Sequence, residues 1–170
     1  MPHRLYDVDV DNASLGAILE WCLERGADTM LFVVRMPNES SATERAREIF
    51  AGRVRGEFLA YGWPGTRSLK QDNLVLELDL DADLARLVAE TGPRVADWRE
   101  HNSLPEDPCV FRASDCGPTG WPMFYSVTPE EVAWIVSDNR VDIEGVSPSL
   151  DILTRRYVYP GRSFCRLEEW

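Results

Sequence analysis

The chain is poor in the residues that most metal and imidazole chemistry requires. Among its 170 residues are two histidines, His3 and His101, and four cysteines, Cys22, Cys109, Cys116 and Cys165. No two cysteines form C-x-x-C, and six residues separate the closest pair, Cys109 and Cys116, which excludes a local zinc ribbon or finger. H-E-x-x-H, G-x-S-x-G, G-x-G-x-x-G and the Walker-type phosphate loop are all absent, so no cofactor is expected from motif content. No apolar run approaches the roughly 20 residues that span a bilayer. The opening segment MPHRLYDVDVDN lacks the apolar stretch of a secretory signal, which predicts a cytoplasmic protein whose cysteines are thiols. Lysine is nearly missing as well: the 18 cations comprise Lys70 and 17 arginines, most of them therefore planar, bidentate donors.

What is abundant is negative charge. Asp and Glu number 29, for a net charge of −11. That balance argues against binding a nucleic-acid backbone, which needs clustered Lys and Arg, and against docking on an anionic membrane. The excess is uneven. Residues 1–70 carry a net −1, residues 71–107 a net −7 and residues 108–170 a net −3. Hydrophobic residues at 44% and charged residues at 28% describe a globular chain, long enough to bury a core without disulfide or metal staples.

Periodicity predicts a single α+β domain over residues 1–170, mainly an antiparallel sheet with four to five helices against it. Tyr6, Val8 and Val10 alternate with aspartates as a half-buried strand. Leu15, Ile18, Leu19 and Cys22 form a helical stripe that Asn12 or Ser14 can cap and Gly26 ends. Met30–Val34 is a continuous apolar run suited to a central strand. Ser41-x-x-Glu44 reads as a capping box, followed by the stripe Ala42, Ala46, Ile49 and Phe50. Glu57–Tyr61 and Leu74–Leu80 read as strands, the second leading into a helix with Leu84, Leu87, Val88 and Thr91 on one face. Pro93 opens a short helix through Val95 and Trp98, and Asn102–Pro108 reads as a loop. Cys109–Ala113 and Met123–Val127 form a hairpin. Thr128-Pro129-Glu130-Glu131 has the features of a helix start, with Val132, Ile135 and Val136 as that helix's apolar face. A last strand is expected at Ile152–Tyr159.

Several constellations carry chemical possibilities. Asp7-x-Asp9-x-Asp11 and Asp79-x-Asp81-x-Asp83 have calcium-loop spacing. In the first, however, Ile18 stands where a bidentate Glu belongs. In the second, Leu84 stands where the loop needs glycine, although Glu90 falls at the twelfth position. Glu77, Asp79 and Asp81 alternate on one strand face and would hold Mg²⁺ if the strand of Asp7 and Asp9 lay beside them. A solvated strand face accounts for the same residues. His101, Asp107 and Cys109 offer an imidazole, an acid and a thiol for nucleophilic catalysis, although cysteine opening a strand more often serves as a small hydrophobe. Two Gly-Trp-Pro tripeptides place Trp63 and Trp121 in loops, where each is either an anchor for a partner or a cap on the core.

No motif names a family. The charge distribution and the absence of a catalytic signature favour a binding module over an enzyme. The expected partner is a basic protein, met by Trp63, Trp121, Asp79, Asp81, Asp83, Glu106 and Asp107. A bacterial immunity or antitoxin-like protein that neutralises a nuclease-like partner is the concrete form of that expectation. The alternative is an enzyme or small-molecule-binding domain built on carboxylates, either Glu77, Asp79 and Asp81 with a metal or His101 with Asp107 and Cys109.

Overall fold

The apolar run Met30–Val34 fixes the centre of the molecule. In the computed structural model, which describes residues 4–35, 37, 40–60, 62–63, 66–67, 73–115, 122–137 and 152–156, it lies in β2 (Thr29–Arg35). Both faces of this strand are buried: Met30, Phe32 and Val34 join the main core, and Leu31 and Val33 are equally covered on the other side. Two-sided burial is why the sequence here shows no alternation.

The remaining strands are β1 (Arg4–Asp7), β3 (Val54–Ala60), β4 (Gly62–Trp63), β5 (Thr66–Arg67), β6 (Asn73–Asp79), β7 (Glu106–Phe111), β8 (Phe124–Val127), β9 (Val132–Ser137) and β10 (Ile152–Arg156). Among the described residues, seven of these and β2 form one sheet in the order β10-β1-β9-β8-β7-β2-β6-β3, and β4 and β5 pair separately. Every pairing is antiparallel. The α+β expectation and the antiparallel sheet therefore hold.

Helices α1 (Leu15–Glu24), α2 (Ala42–Ile49) and α3 (Ala82–Thr91) supply the other half of the core. The described residues thus contain three α-helices rather than four to five. The Thr-Pro-Glu-Glu segment makes one 3-10 turn, Thr128–Glu130. Glu131 then turns left-handed at φ 60°, and Val132, Ile135 and Val136 continue as β9 rather than as a helix. Branched side chains at three of six positions favour the pleated strand once tertiary pairing is available.

Helix α1 is capped by Ser14, whose Oγ accepts the Ala17 amide at 3.2 Å. It lies close on α3: a Cβ on Gly16 would fall 2.8 Å from the Ala89 Cβ, so only glycine permits this approach. Helix α2 does not use the expected capping box. Ser41 is its N-cap residue but makes no side-chain cap; the Ser40 hydroxyl accepts the Ala42 amide instead, at 3.1 Å. Beneath the helices, Phe32, Phe50 and Trp98 stack with centroid separations of 4.5 to 6.1 Å. The Trp98 indole N–H donates to the Gly92 carbonyl at 2.9 Å, which satisfies the one polar atom this core residue buries.

Candidate functional site

Antiparallel register divides the predicted site residues between two ends of the sheet. Thr29 pairs with Asp79 on one side and Phe111 on the other, whereas Arg35 pairs with Asn73 and Val33 with Glu106. The acidic segment 77–83 therefore lies at the Thr29 end, and Glu106 and Asp107 lie at the Arg35 end.

At the Thr29 end, β3 carries an irregularity between Val54 and Gly56 where it pairs with β6. Arg55 sits in it and reaches across the sheet edge. Its guanidinium donates to Glu77, to Asp79 Oδ1 at 2.7 Å and to Thr29 Oγ1 at 3.3 Å. Asp81 caps α3 by accepting the Leu84 amide at 2.7 Å and pairs with Arg53 at 3.3 Å. Asp83 pairs with Arg86 at 2.6 Å. The carboxylates nevertheless remain in water: the side chains of Asp79, Asp81 and Asp83 are 69%, 59% and 61% exposed. Asp28 is exposed beside them, accepting the Ala113 amide at 2.7 Å and the Thr29 hydroxyl at 2.9 Å.

Leu84, in the position a calcium loop reserves for glycine, is buried in the core. Glu90 lies near the far end of α3, about 12 Å along the axis from Ala82 by helical rise. Strand β1, which carries Asp7, is separated from β6 by β9, β8, β7 and β2, so the two sets of alternating acids do not converge. Asp9 instead closes a local turn, accepting from the Asp11 amide and the Asn12 side chain. Among the described residues, no group of three or more His, Cys, Asp or Glu is placed to hold a metal ion.

The Arg35 end is built differently. Strand β7 begins at Glu106, within the segment expected to be a loop. Between the pairs Leu31–Cys109 and Val33–Glu106, β7 has one residue more than β2, so β7 bulges at Asp107 and Pro108. Asp107 takes the left-handed conformation, φ 51°, which asparagine and aspartate tolerate better than other side chains. Reciprocal hydrogen bonds hold it there. The Asp107 amide donates to Thr128 Oγ1 at 3.0 Å, while Asp107 Oδ1 accepts the Thr128 amide at 2.8 Å and its hydroxyl at 3.1 Å.

Arg35 closes the cluster from β2. Its Nη2 donates to Asp107 Oδ2 at 2.8 Å. Its Nε lies 3.1 Å from Glu106 Oε2 but off the line of a directed hydrogen bond, so charge rather than geometry holds this second pair. Glu106 Oε1 accepts the Glu100 amide at 3.1 Å. Burial raises the Glu106 carboxyl above its ordinary value; the Glu100 amide and Arg35 oppose that shift, and the Asp107 and Glu100 charges add to it. Nearby, Arg99 Nη1 donates to Glu131 Oε1 at 3.3 Å. The three non-glycine residues with positive φ among the described residues, Ser103, Asp107 and Glu131, all fall at this end. Left-handed strain of this kind persists only where surrounding contacts hold it.

The predicted residues are therefore only partly brought together. Glu77, Asp79, Asp81 and Asp83 share an exposed corner, and Glu106 and Asp107 lie buried at the opposite end. His101 is exposed in the 3-10 turn Glu100–Asn102. Cys109 is buried within β7, and burial pushes its thiol well above the usual value, away from the thiolate that a nucleophile needs. Trp63 lies in β4, on the connection that leaves β3 at the Arg35 end. Trp121 lies outside the described residues.

The residue that sequence reasoning missed is Arg35, which ends the apolar run of β2. Its position next to a central strand with a buried acid pair could be read only after the register of β2 and β7 was known. No family model, no curated protein and no solved structure matches this chain.

Proposed function

We propose that this chain is a protein-binding, inhibitory module that neutralises a basic partner, in the manner of an immunity or antitoxin-like protein acting on a nuclease. The observation that carries this reading is the strand-to-helix corner from Glu77 to Asp83. There three carboxylates remain more than half exposed while resting on arginines that are themselves at the surface. Exposed ion pairs contribute about 0–1 kcal/mol each, so a partner's cations can replace Arg53, Arg55 and Arg86 at little cost. Desolvation by the partner would strengthen the new pairs, and the acidic surplus of the chain would speed encounter. Arginines released in the exchange would extend the contact as planar donors. Trp63, on the connection after β3, lies at the opposite end of the sheet from this corner and is not assigned to the contact.

Co-purification with the product of an adjacent reading frame, followed by titration at low and high salt, tests the reading. Complex formation that weakens with salt and is lost in the Asp79→Lys, Asp83→Lys double variant supports it. Unchanged affinity in a folded double variant removes it.

One observation favours a second reading, a small-molecule or enzymatic site at the Arg35 end: Glu106 is a buried carboxyl with a raised pKa beside a strained backbone. In that reading Glu106 is the acid–base group and Arg35 the anchor for an anionic substrate. Asp107 holds Thr128 rather than reaching substrate. Ligand-induced stabilisation lost in Glu106→Gln but kept in Asp79→Lys, Asp83→Lys would favour it.

A further inference from the structure

We propose that Glu106 is the proton-operated element of a latch: when it takes up a proton, its carboxyl releases Arg35 and loosens its hold on the Glu100 amide, while Asp107 keeps both Arg35 and the Thr128 turn. Two adjacent carboxylates, Glu106 and Asp107, share the single guanidinium of Arg35. Their side chains are 9% and 0% exposed, whereas that of Arg35 is 27% exposed. Burial beside a second carboxylate penalises the charged form of Glu106, and a proton relieves that penalty.

The two carboxylates are held differently. Asp107 is fixed by a directed bond from Arg35 and two from Thr128. Glu106 has one backbone donor, the Glu100 amide, and an undirected contact with Arg35. The charged groups facing Glu106 are Arg35 from β2, Asp107 on its own strand and Glu100 from the neighbouring turn; two of these three are acids that oppose its ionisation. The adjacent Arg99–Glu131 pair is balanced. The proton comes from solvent and adds to a carboxylate oxygen; no other covalent bond forms or breaks.

The mechanical consequence falls on the turn. Glu106 is the side chain that ties the Glu100 amide to β7, and Ser103, at the end of the same turn, meets Ser41 at the start of α2 with the hydroxyl oxygens 3.2 Å apart. Neutralising Glu106 exchanges a charge-assisted hydrogen bond for a weaker neutral one. The segment 99–103 and its contact with α2 loosen together, while the Asp107–Thr128 clamp stays closed.

Amide hydrogen exchange on the intact chain, corrected for intrinsic pH dependence and paired with a carboxyl ¹³C titration of Glu106, tests the latch. The Glu106 carboxyl is expected to titrate above 4.5, its ordinary value. Exchange at Glu100 is expected to rise about fivefold across that titration, with the Thr128 amide unchanged. In Glu106→Gln the Glu100 amide should exchange at the faster, pH-independent rate. The proposal is overturned if Glu106 titrates at or below 4.5, if the Glu100 amide does not follow it, or if Thr128 moves with Glu100. The wild-type titration decides the matter even if Glu106→Gln does not fold.

Discussion

At the Thr29 end of the sheet, Arg55 joins Glu77 and Asp79 at the surface; at the Arg35 end, another arginine joins Glu106 and Asp107 under cover. Both are one cation between two acids on antiparallel strands, and the difference lies in what surrounds them. Water around Arg55 screens each pair and offers every partner an alternative. Around Arg35, the bulge of β7, the Thr128 turn and the Glu100 amide replace that water with fixed groups. Removing one member there leaves buried charge with fewer fixed partners. The acidic surplus of the chain thus consists of one exchangeable set and one structural set, and a net charge by itself does not distinguish them.

The most severe way to break the comparison is to delete each arginine in turn. Arg35→Ala strands two buried carboxylates and is expected to destabilise the fold by about 3 kcal/mol. Arg55→Ala should cost less, about 1 kcal/mol, because Asp79 is exposed and Glu77 keeps partial access to solvent. Equal shifts in chemical denaturation for the two variants would contradict the distinction. Thr128→Val removes the hydroxyl that accepts the buried Asp107 amide and donates to its carboxylate, and about 1–3 kcal/mol should be lost. Its effect should combine less than additively with Arg35→Ala, since both act through Asp107.

A pH series sharpens the contrast between acid types. Glu106 is raised by burial, so the folded chain holds its proton more tightly than the unfolded chain does. Its contribution to stability is greatest at low pH and is lost as pH rises from about 4.5 through the folded midpoint. Asp97 behaves in the opposite sense. Although burial pushes its carboxyl upward, the side-chain and backbone bonds from Arg94 hold it below 3.8, so its contribution is present above that value and fades as pH falls. Melting temperatures in Glu106→Gln and Asp97→Asn should therefore change the pH profile with opposite slopes; parallel profiles would show that the two carboxyls are not in opposed environments. The smallest stability effect is expected for Asp79→Lys, Asp83→Lys, about 1 kcal/mol or less from lost surface pairs.

The sequence made the local elements legible where one periodicity dominated. The Leu74–Leu80 alternation and the α1 stripe take the expected form, and the expected hairpin pairs as β7 with β8, although its first strand runs Glu106–Phe111 rather than Cys109–Ala113. Legibility failed where tertiary pairing outweighed local chemistry. Thr128-Pro129-Glu130-Glu131 carries every feature of a helix start, yet one turn suffices before β9 pairs with β8 and β1. Asn102–Pro108 has loop composition, but Glu106 and Asp107 enter the sheet because a bulge admits Pro108 and because Arg35 and Thr128 satisfy their charges. Charge counting found the acids; only strand register reveals that those at 77–83 and those at 106–107 lie at opposite ends.

The central claim is that the exposed corner, not the buried cluster, meets the basic partner. Its most direct test is the salt dependence of association for Asp79→Lys, Asp83→Lys set beside Thr128→Val, each checked for folding. The expected result is at least about a tenfold loss of association rate at low salt in the double charge variant, with Thr128→Val indistinguishable from the parent. A parent-like rate in the charge variant together with a loss in Thr128→Val would contradict the account and place recognition at the Arg35 end.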